Sequence, residues 1–164
     1  MIKRSLVVSA LFVISTPAFA HSNLIENILE KKSTPEISDL DADTRKEVTC
    51  TALAVYYESK GQPVRGQSAV AHVIQNRMTS GKFPTTACGV VFQKWRGRHQ
   101  FSFLNMRNLM PTIASSWSTA VKVSIDAILK RSVDPTGGAK FFHNPAIAKG
   151  RSRGVTIGAH RFTP

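Results

Sequence analysis

Acidic residues are scarce beyond the first third of this chain. Of ten Asp and Glu in 164 residues, seven lie between Glu26 and Glu47. After Glu58 only Asp126 and Asp134 remain, against sixteen Lys and Arg. A lone glutamate at the head of a long basic stretch points to a site more than to a solvated face. The basic remainder itself favours polyanionic partners. Cysteine is limited to Cys50 and Cys88. With no Cys-x-x-Cys, a redox pair has no local support. With no carboxylate or histidine at ligand spacing to either cysteine, neither has a cysteine metal site. There is no His-x-x-x-His, no Gly-x-Ser-x-Gly and no phosphate-binding glycine loop. Zinc-helix, serine-hydrolase and nucleotide-dependent chemistries therefore lack their usual signatures. Internal repeats and low-complexity tracts are absent as well.

A long apolar run is also missing. Leu6 to Ile14 is too short to span a bilayer, which takes roughly 20 residues. It follows Lys3 and Arg4 and precedes Ala18-Phe19-Ala20. That order describes a secretory signal over residues 1–20, with cleavage before His21. The alternative is an uncleaved anchor. Export implies the periplasm or cell envelope, or secretion. After cleavage no stable membrane insertion is expected. The remaining chain suffices for one domain and is short for two of ordinary size. In an oxidising compartment a Cys50–Cys88 disulfide is the economical reading. It would be worth about 4 kcal/mol by loop-closure entropy. Two buried free thiols are the alternative.

Residues 21–40 are polar and read as a flexible lead-in, with a short helix near Leu24 to Leu29. The domain runs over 41–164. Asp41-Ala-Asp-Thr offers N-caps, and Thr44 with Glu47 has capping-box spacing. Val48, Ala52, Val55 and Tyr56 then recur at helical spacing, and Gly61 and Pro63 stop the helix. Tyr57 and Glu58 thus occupy its last turn. A second helix is expected over 64–79, with Val70, Val73, Ile74 and Met78 as its apolar stripe. A third is expected over 112–131. Between them, Lys94 to Phe103 is basic and aromatic and reads as a loop or short hairpin. Ala139 to Phe142 reads as a strand that the tail from Ile157 to Phe162 pairs with.

Glu58 carries the chemistry. The carbonyl end of a helix disfavours an anion there by roughly 0.3–1 kcal/mol. Lys60 acts in the opposite sense. Desolvation by Tyr56 or Tyr57 must supply most of any upward pKa shift. Glycoside cleavage needs an acid for the leaving oxygen and, in most enzymes, a second carboxylate. Here Asp126 reads as solvent-facing and Asp134 as turn chemistry before Pro135 and Gly137. A solitary acid suits an intramolecular reaction, in which the sugar's own 6-hydroxyl attacks and one residue serves as acid and then as base. The bland alternative is a surface glutamate at a helix end. His72 reads as part of a polar surface or network. The Trp95 to Phe103 segment suits stacking on either sugar rings or nucleic-acid bases.

Six blocks in register resemble the SleB-type cell-wall hydrolase family. They are Cys50-Thr-Ala-Leu-Ala-Val-Tyr-Tyr-Glu-Ser-Lys-Gly-Gln-Pro63, Gly66 through Arg77, Phe83-Pro with Cys88-Gly-Val-Val-Phe-Gln93, Gln100-Phe-Ser-Phe103, Asp134 through Pro145, and Ile157-Gly-Ala-His-Arg-Phe162. The resemblance implies an α+β, mostly helical, lysozyme-like or lytic-transglycosylase-like single domain with a small strand region. It implies cleavage of the glycan strand beside N-acetylmuramic acid, with Glu58 as acid and base. Peptidoglycan glycan strands are then the partner, with no specific nucleic acid, no metal and no cofactor, and the protein is expected to be a monomer. Gln100, Ser102, Phe142, His143 and Asn144 become substrate-binding candidates. The chain departs from the pattern in two places. Gln62 stands where a glutamate is common. His99 stands where relatives often have a cysteine whose partner is also missing here, which leaves Cys50 and Cys88 as the remaining pair. Three other functions stay open: a non-catalytic wall-binding accessory protein, an N-acetylmuramoyl-L-alanine amidase, and an exported nucleic-acid binder.

Overall fold

The computed structural model describes residues 17–146 and 153–164. The charged n-region and apolar core of the expected signal lie outside the described residues. Helix α1 covers Pro17–Lys32 and α2 covers Pro35–Ser38. Here the structure differs from the expected flexible lead-in. Ile25, Ile28 and Ile37 are buried in the common core. Trp117 Nε1 donates to the Lys32 carbonyl at 2.8 Å. The reason is spacing: Ile25 and Ile28 fall three apart on one helical face, so a segment polar on average still presents an apolar stripe.

Helix α3, Ala42–Ser59, forms the centre. Asp41 caps it, accepting from the N–H groups of Asp43 and Thr44 at 3.1 and 3.0 Å. Such a cap contributes about 1 kcal/mol. The capping box expected from Thr44 and Glu47 does not form, because Glu47 turns away to accept the Ala87 N–H at the start of the next helix but one. From Val48 to Tyr56 every residue of α3 is buried. A helix buried all round has no polar face to show. The small residues Thr49, Thr51, Ala52 and Ala54 admit neighbours on each side.

Those neighbours are α4 (Val64–Thr79), α5 (Ala87–Phe92) and α6 (Ala114–Ile128). The α4 bounds agree with the sequence expectation. Helix α6 is shorter than expected at both ends. Just before its start the N–H groups of Thr112 and Ile113 donate to the buried Tyr56 hydroxyl at 3.2 and 3.1 Å, which fastens the entry of α6 to α3. At its end Lys130 adopts φ +55 and the chain turns. Cys50 and Cys88 form a disulfide that ties the middle of α3 to α5.

Two small sheets complete the fold. Strands β1 (Lys94–Trp95) and β2 (Arg98–His99) form an antiparallel hairpin. A 3-10 turn follows over Ser102–Asn105. Strands β3 (Phe141–His143), β4 (Val155–Ile157) and β5 (His160–Thr163) form an antiparallel sheet in the order β3-β5-β4. The tail does pair with the expected strand, with Phe142 opposite Phe162. Arg77 of α4 fastens this sheet to the helices. It is 5% exposed, and its Nε donates to the Lys140 carbonyl at 2.7 Å. Its guanidinium lies 5.1, 5.5 and 5.6 Å from the rings of Phe83, Phe101 and Phe141. Burial pushes its pKa down to about 10, and it stays charged at neutral pH.

Candidate active site

Glu58 sits one residue before the end of α3. The helix stops because Lys60 leaves helical geometry and Gly61 takes φ +83, the left-handed conformation that glycine adopts without strain. The Glu58 side chain is half-buried. Among the described residues it has neither an ion pair nor a hydrogen bond. Burial raises its pKa, and no neighbouring charge contributes to the rise. Lys60 does not pair with it. Its ammonium lies over the rings of Tyr56 and Tyr57, 4.9 and 5.7 Å from their centroids. The carboxyl is therefore biased toward its protonated form by desolvation alone.

Tyr57, the residue before Glu58, heads a row of rings. Tyr57 stacks on Phe103, with centroids 5.0 Å apart. Phe103 meets Phe101 at 6.1 Å, Phe101 meets Phe142 at 6.4 Å, and Phe142 meets His160 at 5.3 Å. One row of rings thus runs from the C-terminal end of α3 across the 3-10 turn to the β3–β5 sheet. Phe101 and Phe103 point into the core while Gln100 and Ser102, which alternate with them, are exposed. The alternation turns the polar pair outward along the row. Phe142 belongs to the row and is half-buried. His143 and Asn144 follow it in sequence but make no ring contact with it; the Asn144 side-chain oxygen Oδ1 accepts the Ala146 N–H at 2.9 Å. The structure therefore joins Glu58's neighbour, the Gln100–Ser102 segment and Phe142, and leaves His143 and Asn144 beyond them.

Two residues acquire places that sequence reasoning did not assign. His160 closes the row, and its Nδ1 is buried without a partner. Burial lowers its pKa. Gln62 uses its side-chain oxygen to accept the Ala159 N–H at 2.9 Å. Its backbone carbonyl accepts from Gln67 Nε2 at 3.0 Å. It pins the β4–β5 turn to the loop that follows Glu58. Gly158 in that turn has φ +58, and a Cβ there would fall 2.4 Å from the Gln62 oxygen. The signal that would have found this contact is the pair Gly158-Ala159 facing an amide, which is not visible locally.

Asp134 has a structural duty. Asp134 Oδ1 accepts from Thr136 N and Oγ1 at 2.8 and 2.7 Å, and Oδ2 accepts from Gly138 N at 2.8 Å and Asn76 Nδ2 at 2.9 Å. Burial pushes its pKa up, but these bonds outweigh that and hold it below its ordinary value. The turn role expected of it is the one it has. His72 is buried, not at the surface, and bonds Ser132 Oγ at 2.9 Å. Among the described residues no three His, Cys, Asp or Glu side chains converge as a metal ion would require. No described helix is long and apolar enough to cross a membrane.

The cell wall hydrolase family matches residues 61–163, a span that opens just past Glu58. The chain is 39% identical over 105 residues to the spore cortex-lytic enzyme of Bacillus cereus, covering 64% of this chain and 37% of that protein. It is 32% identical over 124 residues to the spore cortex-lytic enzyme of Bacillus subtilis, covering 73% and 38%. It thus spans little more than a third of the length of these curated relatives. Among solved structures, the catalytic domain of the germination-specific lytic transglycosylase SleB from Bacillus anthracis matches with 34% identity and a TM-score of 0.59, over 77% of this chain and 98% of that one. The catalytic domain of the Bacillus cereus SleB protein matches at the same identity and TM-score, over 81% and 99%. The mostly helical, lysozyme-like fold and the matched span agree, and the chain belongs to the cell wall hydrolase family.

Proposed function

We propose that this protein cleaves the glycan strand of peptidoglycan beside N-acetylmuramic acid as a lytic transglycosylase, outside the inner membrane, with Glu58 as its single acid and base. The observation that carries this is a half-buried carboxyl with no partner, its pKa raised, at the end of a rigid central helix. Glu58 gives its proton to the bridging oxygen as the bond to the anomeric carbon breaks. The muramic acid 6-hydroxyl attacks that carbon, and the Glu58 carboxylate takes the hydroxyl proton. The acid is restored, no water enters, and the product ends in a 1,6-anhydro ring. An internal nucleophile fits a site without a second carboxylate, because the attacking group is already held in place. Gln100 and Ser102, exposed along the aromatic row, and Phe142 within it are assigned to the sugar cleft, with His143 and Asn144 at its edge. In this reading the protein acts as a monomer, exported by the signal of residues 1–20.

The test is to incubate protein with purified sacculi and identify products by mass spectrometry. Anhydro-muropeptides that disappear with Glu58→Gln are expected. Undiminished cleavage by that variant would remove Glu58 from its role, and hydrated reducing ends would replace transglycosylation by hydrolysis.

A further inference from the structure

Two half-buried histidines take no part in the cleavage chemistry. His21 lies in α1 and His99 ends β2. The fold sets them side by side. The His21 ring stacks on Phe92, the last residue of α5, with centroids 4.2 Å apart and planes 11° from parallel. It meets the ring of His99 edge-on, with centroids 6.2 Å apart. Neither histidine makes a hydrogen bond among the described residues, and His99 Nδ1 is withdrawn from water without a partner. No protein group therefore competes for their ring nitrogens. Both pKa values are lowered, that of His21 by burial, His99 and Lys94, and that of His99 by burial and Lys94. Both rings are then uncharged in neutral solution, and the uncharged imidazole is the form that ligates metals.

The spacing suits a shared ion. With metal–nitrogen bonds of about 2.0 Å, two imidazoles on opposite sides of one ion have ring centres about 6 Å apart. Two side chains alone hold such an ion poorly. The third donor here is main-chain. The signal reading puts cleavage before His21, which turns its backbone nitrogen into an α-amino group. That amine and His21 Nδ1 close a chelate ring on one ion. As the first residue of the mature α1, it has no intrahelical acceptor to satisfy. His21 also lines a recess of about 330 Å³, which gives an ion a way in.

We propose that the exported protein binds one copper(II) ion through the α-amino group and ring of His21 and the ring of His99. This goes beyond the glycan-cleaving reading and rests on its export step. A nitrogen donor set suits tetragonal copper(II), which also stands highest in the affinity order of divalent metals. The ion ties the first residue of the mature chain to the β1–β2 hairpin. Lys94 opposes the cation only weakly, because it is exposed and its ammonium turns into water.

The test uses protein recovered after export. Its intact mass is measured first, and a chain beginning at His21 is expected. Titration with copper(II) sulfate should show one equivalent bound, with nitrogen hyperfine splitting in the electron paramagnetic resonance spectrum. Excess copper should raise Tm. His99→Ala should weaken binding by at least about tenfold, the effect of disturbing even a ligand's supporting neighbours. One alanine added before His21 keeps every side chain and moves only the amine, so an equal loss there excludes misfolding as the cause. A chain that keeps residues 1–20 or begins elsewhere overturns the proposal. So does a copper affinity that either variant leaves unchanged. Zinc(II) bound more tightly than copper(II) overturns the choice of metal. Release of anhydro products, read on metal-free protein, reports the cleavage reading separately, so the two can fail independently.

Discussion

Glu58 and Asp134 are both partly withdrawn from water, and the protein treats them in opposite ways. Asp134 lies in the turn before β3 and receives donors from Thr136, Gly138 and Asn76. Its charge is satisfied, its pKa is depressed, and it binds α4 to the turn. Glu58 lies at the end of α3, receives no donor, and its pKa is raised. Burial acts on both carboxyls in the same direction, so hydrogen bonding decides the difference. A carboxylate that holds structure is surrounded by donors. Glu58, left without them, keeps its proton more readily, as the proposed acid role requires.

The comparison breaks first at Glu58. Glu58→Gln should lower product release by about 10²–10⁴-fold, the usual worth of a general acid. The same variant should melt at or slightly above the parent Tm, because it removes an unpaired charge and no bond. A large fall in Tm would show that Glu58 is structural. The pH response comes next. Activity should fall as pH rises through the raised Glu58 pKa, about tenfold per pH unit for one proton. Stability should respond at the other end. The depressed Asp134 pKa contributes stability above its unfolded value, and this is lost as pH falls through the folded value. Activity and Tm followed against pH in one buffer series will separate the two.

Asp134→Ala should cost about 2–3 kcal/mol in urea denaturation, since it leaves several donors unpaired in a half-buried turn. An effect below that of an ordinary surface change would mean the turn holds without its carboxylate. The smallest effect is expected at Gln62. Gln62→Ala should cost about 1 kcal/mol by freeing the Ala159 N–H. Gln62→Glu keeps an acceptor at that position and should retain most of the Tm, so a drop equal to that of Gln62→Ala would sink the role of its oxygen.

Several features were written in short stretches of sequence. The apolar stripe of α4 located Val64–Thr79, and Gly61 with Pro63 placed Glu58 in a last helical turn. Two cysteines in a chain read as exported indicated the bond that joins α3 to α5. Asp134 before Pro and Gly announced its turn. These signals are local, because helical period, positive φ and turn chemistry each act within a few residues. Other features were decided only by the fold. Residues 21–40 look polar, yet Ile25, Ile28 and Ile37 find cover on the core. Glu47 left its own helix end for Ala87, and the entry of α6 was fastened by the Tyr56 hydroxyl. The rings from Tyr57 to His160 come from four separate stretches of chain. The residue types of the candidate site were therefore set by sequence, whereas the desolvation that raises the Glu58 pKa was set by tertiary packing, because removing water from one carboxyl takes neighbours that only the folded chain brings to it.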